Sequence, residues 1–345
     1  MNLHFKQLIN WLGLFALAFL IGCSEKDDEL NKRTEVLLQG KTMGTTYTVK
    51  VVDTQKHISD LQLHQHINDL LATINQSMST YIPNSELSQF NQYKSVEPVK
   101  ISVALQTVIS ESLRLGELTQ GKLDITVGPL VNLWGFGPDF HLDKAPTEEI
   151  LALTRQNVGL QYLMLEDDTL RKTNPDLYVD LSTTAKGYAV DQVAELISTH
   201  GIDNYLVEIG GEMRLKGFKA TGELWHIAIE KPITKERVVH QIIVPKDNAL
   251  ATSGEYRNYF EENGQRFSHI IDPDTGKPIN HKLVSVTVIH PSSMTADGLA
   301  TAMMVMGEEQ AYQFAQQNDI AAYIISKTDD GFKEQVTVKF TQYLK

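Results

Sequence analysis

Apolar residues recur along the chain with two different spacings, and each spacing predicts a different secondary structure. Residues 41–52 alternate β-branched and polar side chains, which is typical of a strand. Residues 58–74 place their apolar side chains on one stripe of a helix. Three further amphipathic helices are predicted, over residues 103–119, 147–157 and 185–200. Helices therefore dominate the first half of the sequence.

Strands dominate the sequence after residue 200. The predicted strands cover residues 205–209, 225–230, 240–244, 256–261, 266–271 and 283–290. The Asn263-Gly264 pair predicts a hairpin turn between two of them, and helices over 295–306 and 308–318 precede a final strand pair. Because helices and strands do not alternate strictly, we expect an α+β fold and not a doubly wound parallel sheet.

The first 22 residues have the composition of a secretion signal. After the basic residue Lys6, the twelve residues that end at Gly22 carry no charge. This stretch is too short to cross a bilayer as a helix but suits a signal sequence. Leu20-Ile21-Gly22-Cys23 resembles a bacterial lipobox, at which the signal is removed and the cysteine receives acyl chains such as palmitate. We expect a signal at residues 1–22, acylated Cys23 with a flexible tether over 23–39, and a folded domain over 40–345.

The chain is acidic, and this narrows the ligands that it is expected to bind. Its 345 residues include 31 Lys and Arg against 43 Asp and Glu, which gives a net charge of −12. No Lys/Arg-rich run is present, so the sequence argues against a nucleic-acid partner. Cys23 is the only cysteine, which excludes an intramolecular disulfide and a thiolate metal cluster. An anionic ligand would need a metal ion or main-chain amides to hold it.

Candidate chemical groups lie at the ends of predicted elements. Asp180 precedes the helix at 185–200, whose free amides favour an anion. Asp297 and Thr301 are four residues apart in a helical stretch, so their oxygens face one way and suit a hard cation such as Mg²⁺. His269 lies near the end of the hairpin strand predicted over residues 266–271, beside a turn. Each feature also has a purely structural explanation. Asp180 can be part of a helix cap, Asp297 can be a carboxylate that stabilises the helix dipole, and His269 can be a histidine that only bonds a turn carbonyl.

Taken together and in order, seven segments resemble the ApbE family of FAD:protein FMN transferases. The first is Lys41-Thr-Met-Gly-Thr-Thr-Tyr47. The others cover residues 78–81 with 85–91, 121–137, 180–191, 251–258, 268–273 and 285–307, which is nearly the whole chain after the signal. The resemblance implies one large domain of two lobes, with mixed or antiparallel sheets and a flavin pocket between the lobes.

The resemblance also implies an activity and a set of site residues. The enzyme would cleave FAD with the help of Mg²⁺, attach FMN to a Thr or Ser of a target protein through a phosphoester bond, and release AMP. The residues implied to bind FAD are Met43, Tyr81, Lys122, Leu123, Asp124, Asp180, Lys186 and Ile271. The metal ligands implied are the main-chain oxygen of Thr183 and the side chains of Asp297 and Thr301.

His269 is the candidate catalytic base. An acceptor hydroxyl is a poor nucleophile at neutral pH, and among the matched segments His269 is the side chain with a suitable unperturbed pKa. It lies two residues before Ile271, which the family places against FAD. The alternative is a histidine that only bonds a turn carbonyl.

The sequence leaves two other functions and the location open. A periplasmic FAD pyrophosphatase would use nearly the same site with water as the nucleophile. A flavin-binding lipoprotein without turnover would not need Asp297 and Thr301. The family implies flavin-accepting subunits of membrane redox complexes as partners and, with acylated Cys23, a lipid anchor on the periplasmic side of the inner membrane. Ser24 favours the outer membrane instead, by the enterobacterial sorting rule.

Overall fold

The structure is a computed structural model that describes residues 34–53, 57–137, 145–232, 238–254, 259–262 and 265–345. The predicted signal, Cys23 and the Asn263-Gly264 turn lie outside these residues, as does part of the matched segment 251–258. Within the described residues, no helix combines the length and the apolar character needed to cross a membrane.

Helices and strands both contribute a large share of the described chain. The helices are α1 (Asp60–Met78), α2 (Glu86–Gln92), α3 (Val103–Leu118), α4 (Gly128–Leu133), α5 (Glu148–Arg155), α6 (Ala185–Thr199), α7 (Ser293–Met306) and α8 (Glu308–Gln317). The strands are β1 (Glu35–Thr42), β2 (Thr45–Val52), β3 (Val99–Lys100), β4 (Leu163–Glu166), β5 (Thr169–Lys172), β6 (Tyr205–Ile209), β7 (Glu212–Lys216), β8 (Ile227–Glu230), β9 (Val239–Ile243), β10 (Ala249–Gly254), β11 (Tyr259–Glu262), β12 (Gln265–Ser268), β13 (Ile271–Asp272), β14 (Lys277–Pro278), β15 (Leu283–His290), β16 (Ala321–Thr328) and β17 (Gly331–Val336).

One eight-stranded sheet organises the fold. Its strands are hydrogen-bonded in the order β1-β2-β6-β7-β10-β15-β16-β17. Every strand pair that the described residues form is antiparallel, including those of the smaller β3-β5-β4 sheet and of the β8-β9 hairpin. The α+β prediction is therefore confirmed, with antiparallel sheets.

Both faces of this sheet are covered. Strand β15 shows this directly, because Val286 and Val288 pack in one apolar cluster with residues of α7 and α8, whereas Val284 and Ile289 belong to another. The second cluster contains apolar residues of β8, β9 and the segment 338–343. At the other end of the sheet, β1, β2 and β6 pack against α1, α3 and α6. Helices α6 and α7 thus lie on the sheet, where they can carry site residues.

The start of the folded domain differs from the prediction. Strand β1 begins at Glu35 and pairs with β2 over its whole length, from Glu35 opposite Val52 to Thr42 opposite Thr45. The expected tether over 23–39 is therefore wrong for residues 35–39, and the single strand predicted over 41–52 is a hairpin. The reason is physical, since Leu38 is buried and the main chain of β1 is hydrogen-bonded to β2.

Several predicted elements are confirmed closely. Strands β6 and β15 have the predicted bounds, and α6 ends one residue before the predicted end. Ser102 caps α3 as expected, because its Oγ accepts the main-chain N–H of Leu105 at 3.3 Å. The strands on either side of Asn263-Gly264 pair with each other, with Glu262 opposite Gln265, as a hairpin requires.

Candidate active site

One large cavity is the natural place for a ligand in this fold. It has a volume of about 1760 Å³. Its walls come from the β1–β2 turn, the loop after α1, the segment before α6, the start of β7, the residues after β12 and one face of α7. Pockets for drug-sized ligands are typically about 300–1,000 Å³, so this cavity can hold a molecule as large as a dinucleotide.

The cavity brings together most of the residues that the sequence identified. They come from segments far apart in the chain, and the fold alone makes them neighbours. The predicted residues in the cavity wall are Met43, Tyr81, Asp124, Asp180, Thr183, Lys186, His269, Asp297 and Thr301.

Met43 reaches the cavity because of the turn that it forms. Met43 and Gly44 join β1 to β2, and their φ angles are +48° and +71°. Positive φ at both central residues is the requirement of a two-residue type I′ hairpin turn. Glycine meets it readily, whereas Met43 adopts it at a steric cost. The turn places Met43 in the wall, where its flexible thioether can contact an aromatic ring.

Tyr81 stands at the mouth of the cavity. It follows the end of α1, and its main-chain N–H donates to Ser79 Oγ at 3.2 Å. The residue is 67% exposed, so one face of the ring is available for stacking on a flat ligand. Partial burial and the nearby Asp180 carboxylate raise the pKa of the Tyr81 hydroxyl above its usual value.

The two segments that carry Asp124 and Asp180 are far apart in the sequence but lie side by side in the structure. The Asp180 N–H donates to the carbonyl of Ile125 at 2.7 Å. Asp124 accepts hydrogen bonds from the N–H and Oγ1 of Thr126, and burial raises the pKa of its carboxyl. Asp180 Oδ1 accepts the N–H of Ser182 at 2.7 Å, which fixes the turn that leads into α6. Both carboxylates are therefore held by the main chain at the cavity wall.

The segment that carries Asp180 is anchored from behind. Asn91 bonds the main chain of Val179 twice, as donor to its carbonyl and as acceptor from its N–H, both at 2.8 Å. The buried Lys172 ammonium donates to three carbonyls, those of Phe90, Asn91 and Leu177. Burial lowers the pKa of Lys172 to about 8. These contacts tie the short helix α2 to the segment that precedes α6.

Lys122, Leu123 and Ile271 do not belong to the cavity wall. Lys122 Nζ instead lies 2.6 Å from Asp274 Oδ2 and 3.5 Å from Asp272 Oδ1. The side chain of Leu123 is buried in the cluster that contains α7, and that of Ile271 in a separate small cluster around α4. Their assignment to FAD stays a prediction, and for Leu123 and Ile271 it would have to rest on main-chain atoms.

Three charged side chains meet where α6, β7 and α7 come together. Lys186 Nζ lies 3.2 Å from Glu212 Oε1 and 3.5 Å from Asp297 Oδ2. The main-chain N–H of Gly187 donates to the same Asp297 oxygen at 3.2 Å. Glu212 and Asp297 are each only 5% exposed. The group therefore places two buried carboxylates around one ammonium.

The balance of charge in this group is visible in its pKa values. Burial and the neighbouring Glu212 carboxylate raise the pKa of Asp297 to about 7, although Lys186 opposes the shift. Burial likewise raises the pKa of Glu212. Burial alone would lower the pKa of Lys186, but attraction to both carboxylates outweighs it and the net shift is upward. One ammonium is thus shared by two carboxylates, and a further cation would be stabilised here.

Gly187 makes the meeting of α6 and α7 feasible. A Cβ atom at this position would lie 2.4 Å from the carbonyl oxygen of Ser293, which is closer than real Cβ atoms come. Asp191, one helical turn later, accepts the N–H groups of Ser293 and Met294 at 2.9 and 3.1 Å. The first turn of α7 is therefore bound directly to α6, which fixes Asp297 relative to Lys186.

The donors around Asp297 fit a hard cation. Asp297 and Thr301 both line the cavity from α7, one helical turn apart, as their spacing predicts. Thr183 Oγ1 and Glu212 Oε2 are buried oxygens that have no hydrogen-bond partner among the described residues. The described residues contain no cluster of three or more His, Cys, Asp or Glu side chains that could hold a metal. Mg²⁺ does not need such a cluster, because it is bound through one or two carboxylates and retains waters.

His269 lines the same cavity from the segment after β12. Its ring is half-buried and meets the ring of Phe136 edge to face, with 6.3 Å between the ring centroids. The aromatic contact orients the imidazole, and its partial exposure leaves it accessible to a ligand in the cavity. The position suits a base.

Sequence reasoning missed Glu212 and Phe136 as parts of the site. Glu212 follows Gly210 and Gly211, whose φ values of +64° and +114° turn the chain from β6 into β7. The two adjacent glycines predict a turn before Glu212, but they do not indicate its contact with Lys186. Phe136 lies in the matched segment 121–137 and was not assigned a role.

Comparisons with known proteins agree with the geometry. The sequence profile of the ApbE family matches residues 43–324. A Vibrio cholerae protein named FAD:protein FMN transferase is 52% identical over 337 residues, which cover 97% of this chain and 99% of that protein. The Escherichia coli K12 protein of the same name is 41% identical over 339 residues, with 96% of each chain covered.

Solved structures show the same relationship. The structure of the flavin transferase ApbE from Vibrio cholerae superposes with a TM-score of 0.86 and covers 90% of this chain and 100% of that one. The apo form of the Pseudomonas stutzeri flavinyl transferase ApbE is 36% identical, with a TM-score of 0.84 and coverage of 90% and 97%. With its cavity, its charged group and these similarities along nearly the whole described chain, this protein belongs to the ApbE family.

Proposed function

We propose that this chain is an FAD:protein FMN transferase that depends on Mg²⁺. It takes FAD as substrate, joins the FMN phosphorus to the hydroxyl oxygen of a Thr or Ser in a target protein, and releases AMP. The observation that carries the proposal is the single cavity that collects Met43, Tyr81, Asp180, Lys186 and Asp297. Relatives that match nearly the whole chain are named for the same reaction.

Different residues of the chain bind two different parts of the substrate FAD. Tyr81 and Met43 offer an aromatic face and a thioether to the isoalloxazine ring. Lys186 supplies a positive charge for the pyrophosphate, and the N-terminal turn of α6 presents main-chain amides nearby. The acidic net charge of the protein is therefore no obstacle to binding an anion locally.

The cation would be held by Asp297 and Thr301 with the main-chain oxygen of Thr183. Thr183 Oγ1, which is buried and has no hydrogen-bond partner among the residues that the structure describes, and the raised pKa of Asp297 support a cation at this place. When bound, Mg²⁺ supplies charge stabilisation for the phosphate oxygens during phosphoryl transfer. Asp297 is the charged ligand of this set, so its carboxylate must be ionised for the cation to bind.

His269 is the proposed base of the transfer. The acceptor hydroxyl loses its proton to the imidazole as its oxygen attacks the FMN phosphorus. The bond from that phosphorus to the bridging oxygen breaks, and AMP leaves with the electron pair. A positioned base typically contributes about 10²–10⁴-fold to such a step. His269 lines the cavity and is oriented by Phe136, which supports this role.

We also propose a location and partners for the protein. The lipobox-like sequence that ends at Cys23 supports an acylated lipoprotein anchored on the periplasmic side of the inner membrane. The acceptors would be flavin-carrying subunits of membrane redox complexes, which the family resemblance implies. Ser24 remains a signal for the outer membrane, and fractionation of the native membranes distinguishes the two.

Mass spectrometry of an acceptor protein tests the activity directly. The purified protein is incubated with FAD, Mg²⁺ and a candidate acceptor, and the acceptor mass and the free nucleotides are measured. An acceptor heavier by one FMN residue, with release of AMP, is the expected result. Free FMN and AMP with an unmodified acceptor would instead identify a pyrophosphatase. Binding of FAD without any cleavage would identify a flavin carrier.

A further inference from the structure

The buried ion group at the cavity contains one residue to which no role has been assigned. Glu212 lies closer to the Lys186 ammonium than Asp297 does, at 3.2 Å against 3.5 Å. We propose that Glu212 is a positioning residue, which holds the Lys186 ammonium so that the Asp297 carboxylate stays able to bind a divalent cation. The inference rests on the proposed function in one respect, the assignment of a cation to Asp297.

The burial of Glu212 supports a specific role. It is the first residue of β7, only 5% exposed, and its Oε1 faces Lys186. Its second oxygen, Oε2, is buried and has no hydrogen-bond partner within the part of the chain that the structure describes. Burial of a carboxylate is costly unless the charge is paired, and a missing hydrogen bond adds to the cost. The Lys186 ammonium, the oppositely charged group beside it, explains why a carboxylate is kept under these conditions.

The arrangement of charges shows what Glu212 does for Asp297. An ammonium close to Asp297 repels a second cation, and the repulsion is strong in a poorly solvated site. The Glu212 charge offsets this repulsion and holds the ammonium on its own side. Without the Glu212 charge, Lys186 would pair with the Asp297 carboxylate alone. The ammonium would then compete with the cation for Asp297.

The same geometry explains why Lys186 can also serve the substrate. Its side chain is 28% exposed and lines the cavity, whereas both carboxylates are nearly buried. Glu212 also lines the cavity, but the ammonium is the more exposed of the two groups and can face the pyrophosphate. Replacement of Glu212 should weaken cation binding even when no FAD is present, which separates this role from substrate binding.

A double-mutant cycle with Mn²⁺ tests the proposal. Mn²⁺ binding to the purified full-length protein is measured by electron paramagnetic resonance without FAD, and Mg²⁺ is added as a competitor. We expect Glu212→Gln to weaken Mn²⁺ binding by about tenfold while Lys186 is present. In the Lys186→Met background, the same change should cost less than about threefold, because the competing ammonium is absent. Glu309→Gln, which neutralises an exposed carboxylate on α8 away from the cavity, should leave the affinity unchanged.

Each other outcome is decisive. Wild-type affinity in Glu212→Gln would overturn the proposal. An equal loss in both backgrounds would also overturn it, because Glu212 would then act on the cation without Lys186. If Asp297→Ala binds Mn²⁺ as tightly as the wild type, the cation assignment itself fails and the inference fails with it. If Glu212→Gln does not fold, as judged by circular dichroism, Glu212→Asp replaces it, with a loss of about threefold expected because the shorter side chain reaches Lys186 less well.

Discussion

Asp191 is predicted to be the residue on which the position of α7 depends most. Its carboxylate leaves α6 and accepts three hydrogen bonds from the start of α7, from Ser292 Oγ at 2.7 Å and from the N–H groups of Ser293 and Met294 at 2.9 and 3.1 Å. Arg214 Nη1 lies 3.2 Å away on the other side. Asp191→Ala removes all four contacts together.

The expected magnitude follows from what those partners lose. Ser293 is fully buried, so water cannot replace the carboxylate at its N–H, and a buried unsatisfied donor costs about 1–3 kcal/mol. The negative charge at the N-terminus of α7 contributes about 0.3–2 kcal/mol more. Arg214 keeps its contact with Glu195 at 2.7 Å and adds little. We expect a total loss of about 3 kcal/mol in the free energy of unfolding.

Urea unfolding measures this loss, and flavin transfer measures its consequence. The free energy of unfolding is extrapolated to water for the wild type, Asp191→Ala and Asp191→Asn. Asn keeps one acceptor oxygen, so about half of the loss is expected. Glu195→Gln is the matched control, with a change below about 0.5 kcal/mol because Glu195 is 57% exposed and Arg214 keeps its contact with Asp191. A loss below about 1 kcal/mol for Asp191→Ala, with full activity, would refute the reasoning.

Three further predictions concern the metal, the base and the anchor. Asp297→Ala should abolish turnover with little rescue by excess Mg²⁺, and chelation should abolish turnover of the wild type, whereas Thr301→Ala loses a neutral ligand and should be milder. Near-normal activity of Asp297→Ala in the presence of a chelator would exclude the site. His269→Ala should lower kcat about 10²–10⁴-fold, while the Kd for FAD, measured by fluorescence, hardly changes. Normal flavinylation of an acceptor by this variant, or parallel losses of FAD binding and stability, would rule out His269 as the base. Cys23→Ala should leave the precursor unlipidated and uncleaved at that site, and mass spectrometry of the native protein should find no unmodified Met1 terminus.

Much of the fold could be predicted because local periodicity decides it. Strand β15 alternates between two apolar clusters, and α3 carries both its Ser102 cap and its buried stripe in its own sequence. Strand β10, in contrast, was missed. Its sequence, Ala-Leu-Ala-Thr-Ser-Gly, has low strand propensity, and it is a strand because β7 and β15 pair with it on both sides.

The site shows a similar limit. Asp297 and Thr301 could be proposed from a four-residue spacing, because a helix alone places both on one face. Glu212 could not, since its meeting with Lys186 depends on the packing of β7 against α6 and α7. A long-range ion group has no local pattern. The resemblance to the ApbE family identified several site residues that no local pattern indicates. It did not identify Glu212.

The hairpin turn at Met43 sets stability against function at one position. A methionine at φ +48° carries steric strain on the order of 1 kcal/mol. A glycine at the same φ would carry no such strain. A search for a more stable enzyme would therefore select glycine or asparagine at this turn. The same substitution would delete the thioether from the cavity wall. Thermostabilised variants of this protein should consequently be screened for flavin binding before they are ranked by melting temperature.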